Sequence, residues 1–383
     1  MKYSAAAGIE PSLIMELDAL AKEMALAGKR ILNLSAGEPI EAAAPAGKEG
    51  VLQAVRQDFS GYTAASGAPF MKEAAARFLG TDPAHVTVSA GAKPLVNAAL
   101  RCAAGPGDEI LIPVPCYPSF YEMALLTGAA PVLVQGTGPL YKLTERDLLG
   151  AVTPRTAALI LNNPNNPTGA LYSREELEPL VDICRQRGIW CVADEVYGGL
   201  VYDGQPFVRA MELEGNEGCV VTVDCVSKRF CMPGYRIGFA AGPQKMTRAM
   251  SAYLGQTLGP PCSLTQQAAA AALEAGPGFT RAMCRAYEKR RDYCLSRLEA
   301  MDGLRCEKPQ GAFYLFPNIE QALKDGGWEG DIPFCMELLR SKGLAVSPGT
   351  AFRLPGHLRI AYVRPEEELK EAMDLLEAFL LGR

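Results

Sequence analysis

The sequence predicts an α/β protein: a large domain with a mostly parallel sheet sandwiched by helices, plus a smaller α+β domain formed by both chain ends. Three observations carry this expectation. From about residue 85, short β-rich runs alternate with helical stretches, the pattern of parallel strands joined by crossover helices. Those runs are nearly continuous in apolar residues, as expected where helices cover both faces of a sheet. Toward the C-terminus, strands and helices mix at wider spacing, which marks a separate unit.

In order, HVTVSAG leads into AKPLVNAALRCAAG, DEILIPVP into SFYEMALLTG, and AALILNN, after a loop, into SREELEPLVDICRQRG. IWCVADEV, CVVTVDC and RIGFAAG complete the strand series. The helical pattern TRAMCRAYEKRRDYCLSRLEAM precedes GAFYLFPNI, a further helix, LAVSPGTAF, HLRIAYV and the final helix PEEELKEAMDLLEAFLL. The N-terminal helix PSLIMELDALAKEMALAG is expected to pack with this last group. The expected division is 1–44 as an N-terminal arm and part of the small domain, 45–275 as the large domain, and 276–383 as the small C-terminal domain.

Composition narrows the function. A net charge of −5 and the lack of any Lys/Arg cluster leave no basic field for nucleic acid or an anionic membrane. No apolar run is long enough to span a bilayer. At the start, a short Ala run meets Gly, Glu and Pro instead of a signal peptide's apolar core, so a cytoplasmic location is expected. The 12 cysteines stand singly, without a CxxC pair, and the only histidines are His85 and His357. That argues for buried reduced thiols and against a metal site or an imidazole base.

In open α/β sheets, ligands sit beyond the carboxyl ends of the strands, so the polar residues at those ends are the candidates. After VTVS, Gly91, Ala92 and Lys93 open a helix at Pro94, where free N–H groups suit a phosphate; an ordinary strand-to-helix turn reads the same way. After EILIPVP, Tyr117 can stack on a planar ligand or simply pack in the core. The loop NNPNNPTG is rich in asparagine donors, of which Asn166 stands out by position, although asparagine is also a common turn former. Asp194 ends a buried run and must be paired or neutralised; it can cap the next segment or hold a proton on a ligand's ring nitrogen. Tyr197, three residues on, can donate to an oxygen on the same ring. After VVTVDC come Ser227, Lys228 and Arg236. A lysine there can form a Schiff base, and an arginine suits a phosphate, unless the two serve structural salt bridges. Together these groups match pyridoxal 5′-phosphate piece by piece.

Over nearly its whole length the chain resembles the fold-type-I pyridoxal-phosphate enzymes, specifically class I/II aminotransferases of the bacterial aspartate aminotransferase-like branch. The resemblance rests on LNLSAGEP, GYTAASGAPFMKEAAARF, NNPNNPTG, ADEVY, SKRFCMPGYRIG, GAFYLFP, SPGTAF and HLRIAYV, in matching order and spacing. It implies that 45–275 binds the cofactor and that Lys228 forms the Schiff base and shuttles the proton. Asp194 then keeps the pyridine nitrogen protonated, and Tyr197 and Asn166 hydrogen-bond the phenolic oxygen. Arg236, Ser227 and the backbone at Ala92 and Lys93 hold the phosphate, while Tyr117 stacks on the ring. Tyr62 matches a tyrosine that reaches the phosphate of a neighbouring subunit, which implies a homodimer with shared active sites.

Arg359 matches the arginine that clamps the substrate's α-carboxylate, and Gly37 a glycine whose backbone lies against that carboxylate. The strand pattern agrees independently: Leu358, Ile360 and Tyr362 alternate on one face, and Arg359 projects from the other toward an expected anionic partner.

The resemblance departs from the usual pattern at Ile40 and Glu41, expected beside the substrate entrance, at Cys225, where many relatives have serine, and at Pro233 and Tyr235. The implied reaction is transamination between an L-amino acid, with aspartate or glutamate the leading guess, and a 2-oxo acid such as 2-oxoglutarate. Aromatic, alanine or other donors, a β-C–S lyase and a non-catalytic effector-binding module remain open. Arg101, on the phosphate helix roughly 12 Å beyond Lys93 by the helical rise, is a candidate for a second substrate carboxylate or a solvated charge.

Overall fold

The computed structural model describes residues 9, 12–213 and 218–382. Pro11, where the sequence places the start of the first helix, lies outside the described residues, as do residues 1–8 and 10.

The architecture is the expected α/β one. Seven strands form the large sheet in the order Val86–Ser89, Gly238–Ala241, Val220–Cys225, Trp190–Asp194, Thr156–Asn162, Glu109–Val114, Ala130–Gln135. All neighbours run parallel except Gly238–Ala241, which is antiparallel to both strands beside it. The exception follows from its connection. Between Cys225 and Gly238 the chain holds only the turns Val226–Arg229 and Pro233–Tyr235, and without a crossover helix the strand must return alongside its neighbour.

Because side chains alternate across a strand, the apolar runs feed two cores. On one face Ile110, Ile112, Ile160 and Val192 pack against Leu95, Val96 and Leu100 of the helix Ala92–Ala103. On the other, Leu111, Leu159, Leu161 and Cys191 meet Leu177, Leu180 and Val181 of Arg174–Arg187. The start of this second helix is legible in SREEL: Ser173 and Glu176 form a capping box, and Gly188 closes the far end in the left-handed region.

The chain ends meet in smaller sheets. Leu32–Asn33 pairs in parallel with Leu344–Ala345, and Leu358–Ala361 lies between Ser347–Pro348 and Tyr314–Leu315. Leu17, Ala21 and Met24 of the helix Leu13–Leu26 bury against Leu339 and Ala345, so the N-terminal helix packs with the C-terminal elements as its sequence suggests. Among the described residues no helix is long and apolar enough to cross a membrane.

One glycine sets how closely the strand ends approach. Gly238 is the register partner of both Cys225 and Ser89, and a Cβ there would fall 2.5 Å from the Gly91 carbonyl carbon and 2.6 Å from the Ala92 nitrogen. These contacts are backbone and cannot swing aside. Gly238→Ala is therefore expected to cost about 1–3 kcal/mol of stability by overpacking, read from the urea midpoint. Gly234→Ala, which meets nothing within 4 Å, is expected to change it by less than ~0.5 kcal/mol.

Candidate active site

The carboxyl ends of the parallel strands open into a cavity of about 380 Å³. Its lining includes Gly37, Ala92, Lys93, Tyr117, Asn166, Asp194, Tyr197, Ser227, Lys228, Arg236 and Arg359, so the structure gathers almost all of the sequence-derived candidates around one space. Gly91 adjoins it. Tyr62 and Arg101 do not line it.

The turn after Val86–Ser89 passes through Gly91 at φ 101° and opens the helix Ala92–Ala103. The bare glycine admits Arg236, whose Nη2 would lie 2.6 Å from a Cβ at that position. Arg236 itself takes a left-handed φ of 53° and donates to the carbonyls of Pro233 at 2.8 Å and Ala90 at 3.3 Å. Because the strand that follows is antiparallel, Arg236 arrives at the same sheet edge as Lys228.

The asparagines of NNPNNPTG divide their work. Asn162 accepts from the Asn166 N–H at 2.7 Å and donates to the Asp194 carbonyl at 3.0 Å. Asn163 and Asn165 accept from backbone N–H groups of Tyr172 and Thr168. These three hold the loop, while Asn166 turns its Oδ1 to Arg359 Nη1 at 3.0 Å.

Asp194 is only 8% exposed, and its contact is a long one, from the Val196 N–H at 3.4 Å. Burial pushes its carboxyl up to about 7, against which the nearby Lys228 works. Glu195, the next residue, faces the other way and pairs with Arg209 at 3.1 Å. Asp224, wholly buried, receives Arg209 at 3.3 Å and Arg229 at 2.9 Å. This ion cluster lies behind the cavity and anchors the short helix Val226–Arg229 that carries Lys228. Lys228 Nζ donates to the Gly37 carbonyl at 2.6 Å.

Arg359 is 2% exposed, on a strand buried on both faces, where the sequence pattern places it on a face of its own. Nor is its expected anionic partner found among the described residues: Arg359 donates to Asn166 and to the Ser35 carbonyl. Its guanidinium sits over the rings of Tyr314 and Phe352 at 4.5 and 4.7 Å, and its Nε has no hydrogen-bond acceptor among the described residues.

Five further positions named from the sequence can be placed. Arg101 lies exposed in the last turn of a helix whose first turn faces the cavity, and it does not line the cavity. Glu41 is held by Arg290 at 2.7 Å and by the Tyr287 hydroxyl, and neither it nor Ile40 lines the cavity. Tyr62 is 98% exposed. Cys225 does line the cavity, and burial raises its thiol above the ordinary range.

The sequence reading missed Tyr314, whose hydroxyl is 2.8 Å from that of Tyr197, and the apolar wall of Ile14, Met15, Phe120 and Met123. The quoted motif GAFYLFP contains Tyr314, but nothing local distinguishes it from a core tyrosine.

The donor set fits pyridoxal phosphate. Among the described residues it offers a buried acid without a cation pair, an amine, a phenol, a guanidinium beside a helix N-terminus, and a second guanidinium with an unused N–H. Asp194 also yields a pH test. Its carboxyl gives up its proton near 3.8 when unfolded and at about 7 when folded, so ionisation costs stability. That cost grows as pH rises from about 4 to about 7 and is constant above. In the ligand-free protein, Asp194→Asn is expected to raise the thermal midpoint relative to the parent clearly at about pH 8 and little at about pH 4. An equal difference at both would contradict the desolvated carboxyl.

The aminotransferase class I and II family model matches residues 14–376. The chain is 37% identical to the aspartate/prephenate aminotransferase of Cereibacter sphaeroides over 98% of each chain. It is 34% identical to the solved aspartate aminotransferase of Rhizobium meliloti, with TM-score 0.93 over 99% of this chain and 98% of the other. The Thermus thermophilus aspartate aminotransferase solved with maleate is 31% identical, with TM-score 0.91 over 98% of this chain and 99% of that one. With its fold and cavity in place, the chain belongs to the class I and II aminotransferases, in the aspartate aminotransferase-like branch of the fold-type-I pyridoxal-phosphate-dependent enzymes.

Proposed function

We propose that this aminotransferase takes a dicarboxylic amino acid, aspartate or glutamate, as donor and a 2-oxo acid such as 2-oxoglutarate as acceptor. One observation carries the reading. The cavity presents Lys93, Lys228, Arg236 and Arg359 around a single acid, Asp194, and among the described residues none of these cations has a carboxylate partner within 4 Å. A ligand set with one phosphate and one carboxylate engages Arg236 and Arg359, and Lys228 supplies the reactive amine. Lys93 remains. Its Nζ lies over the Tyr117 ring, 5.3 Å from the centroid, placed for a second carboxylate. The Thermus thermophilus enzyme, with 31% identity to this chain, was solved with maleate, a dicarboxylate.

In this reading Arg236, Ser227 and the N–H groups of the Gly91–Lys93 turn hold the phosphate, and Tyr117 stacks on the ring. Asp194 holds the proton of the ring nitrogen; its ionised form, costly while buried alone, is offset by that positive charge. Tyr197 and Asn166 donate to the ring oxygen. When bound, pyridoxal phosphate supplies an electron sink for charge developing at the substrate's α-carbon. Arg359 orients the α-carboxylate against the Gly37 backbone. Lys228 Nζ then acts as general base on the α-proton and returns it as general acid.

Further parts of the reading concern assembly and setting. Tyr62, exposed on the isolated chain, reaches the phosphate site of a second copy, and the exposed Leu52, Val55 and Leu258 offer apolar surface for that homodimer. The chain divides at 44/45 and 275/276 into the arm, the large domain and the small domain. A cytoplasmic location is supported by 12 free cysteines, which a reducing compartment keeps as thiols. The apolar wall of Ile14, Met15, Phe120 and Met123 favours aromatic amino acids as a second class of donor, in keeping with the aspartate/prephenate relative.

The test is to mix the yellow, cofactor-loaded protein with a panel of amino acids and follow loss of its absorbance band. Aspartate and glutamate are expected to convert it stoichiometrically, with ping-pong kinetics once an oxo acid is added. No conversion by any donor would sink the proposal. Lys228→Ala is expected to abolish covalent retention of the cofactor. Lys93→Ala is expected to lower kcat/KM for aspartate by ~10–100-fold, the worth of one charge-assisted hydrogen bond, with little change for neutral amino acids. Equal losses for both classes would remove Lys93 from substrate recognition.

A further inference from the structure

Beside Tyr197 stands a second phenol that the roles above leave unused. Tyr314 is 1% exposed and belongs to the short strand paired with the one carrying Arg359. Its ring lies beneath the Arg359 guanidinium, and a Cβ at Gly37 would fall 2.3 Å from its hydroxyl. Tyr314 is thus packed against Gly37, whose carbonyl accepts from Lys228.

The 2.8 Å hydrogen bond between the Tyr197 and Tyr314 hydroxyls can run in either direction. If Tyr197 donates to Tyr314, only its lone pairs face the cavity. If Tyr314 donates to Tyr197, the Tyr197 proton is free for an acceptor there. The role proposed for Tyr197 selects the second arrangement, because its one proton cannot go both to the cofactor's ring oxygen and to Tyr314. Of the charged groups around the pair, Arg359 and Lys228 are donors, so the ring oxygen is the acceptor that frees this proton from Tyr314. Asp194 faces the cavity from the neighbouring strand end and bonds neither phenol among the described hydrogen bonds. Burial holds the Tyr197 phenol well above its ordinary range, so it stays protonated in either arrangement.

We infer that Tyr314 is a positioning residue: it donates its hydroxyl proton to Tyr197 and so fixes Tyr197 as the donor toward the cofactor's ring oxygen. This rests on the role proposed above for Tyr197. Each hydrogen bond in such a chain polarises the next, so the Tyr314 hydroxyl strengthens a contact it does not itself make. Arg359 and Tyr197 thereby share one support, since the same side chain underlies the guanidinium and orients the phenol.

The consequence is spectroscopic. A hydrogen bond donated to the ring oxygen withdraws electron density and lowers the proton affinity of the Lys228 nitrogen joined to the cofactor. Absorbance of the substrate-free, cofactor-loaded protein is followed across pH in the parent, Tyr197→Phe, Tyr314→Phe and the double variant. Tyr314→Phe keeps the ring under Arg359 and is expected to raise the titration midpoint by ~0.5–1 pH unit, the equivalent of one net hydrogen bond. Tyr197→Phe is expected to raise it further, and the double variant to match Tyr197→Phe, because the Tyr314 hydroxyl acts only through Tyr197.

A shift in Tyr197→Phe but none in Tyr314→Phe overturns the inference and leaves the Tyr197 role standing. Additive shifts overturn it too, since Tyr314 would then act independently. No shift in Tyr197→Phe removes the Tyr197 role itself and the inference with it. Should Tyr314→Phe prove too unstable to load, 3-fluorotyrosine at position 314 makes a better donor of nearly unchanged size. It is expected to lower the midpoint, and an unmoved midpoint overturns the inference.

Discussion

Asp224 is buried completely and is held by two guanidiniums, those of Arg229 and Arg209. Arg209 also binds Glu195, and Glu195 accepts the Ala210 N–H at 2.8 Å. A desolvated charge that loses its partner costs about 3–5 kcal/mol, so the four residues stand or fall together. Their importance lies in where they sit. Glu195 follows the last residue of one central strand, Asp224 is the penultimate residue of the next, and Arg229 is the residue after Lys228. The cluster locks two strand ends and one helical turn to each other from behind. The faces left over, those of Asp194 and Lys228, can then be aimed at the cavity without having to stabilise anything themselves.

That division of labour explains why the cavity can afford residues that are poor for stability. Among the described residues Asp194 has no cation pair, Arg359 is held by neutral oxygens and aromatic faces, and Arg236 sits in a left-handed conformation. Each is an arrangement that a stable core avoids. Across the strand end, adjacent carboxyls have opposite fates: Glu195 is paired with Arg209, and Asp194 faces the cavity.

The strand ends were legible because a buried parallel strand is a continuous apolar run, and its first polar residue marks the edge of the sheet. Asp194 follows that rule, and Tyr197, Asn166 and Lys228 stand three or four residues beyond the last residue of such a strand. Arg236 needed more: it reaches the same edge only because Gly238–Ala241 runs antiparallel, a consequence of a connection too slight to cross over. Arg101 illustrates the limit of spacing alone. The helix is aimed with its N-terminus at the cavity, so each turn along it leads away. Tyr314 and the Lys93 side chain were hidden for another reason. What distinguishes them is a neighbour far along the chain, Tyr197 in one case and Tyr117 in the other, and no local pattern announces such a meeting.

The pairing of Leu32–Asn33 with Leu344–Ala345 also bears on how the molecule is made. Ser347 Oγ reaches the Ser35 carbonyl across 312 residues, and Arg359 donates to the same carbonyl. During vectorial synthesis, Leu17, Met24, Leu32 and Leu34 emerge well before Leu339, Leu344 and Ala345, against which they are buried. Such long-range contacts form after the local crossovers of the large sheet that lies between them in the chain. The piece that completes the Arg359 pocket is therefore made before that sheet and finds its place after it.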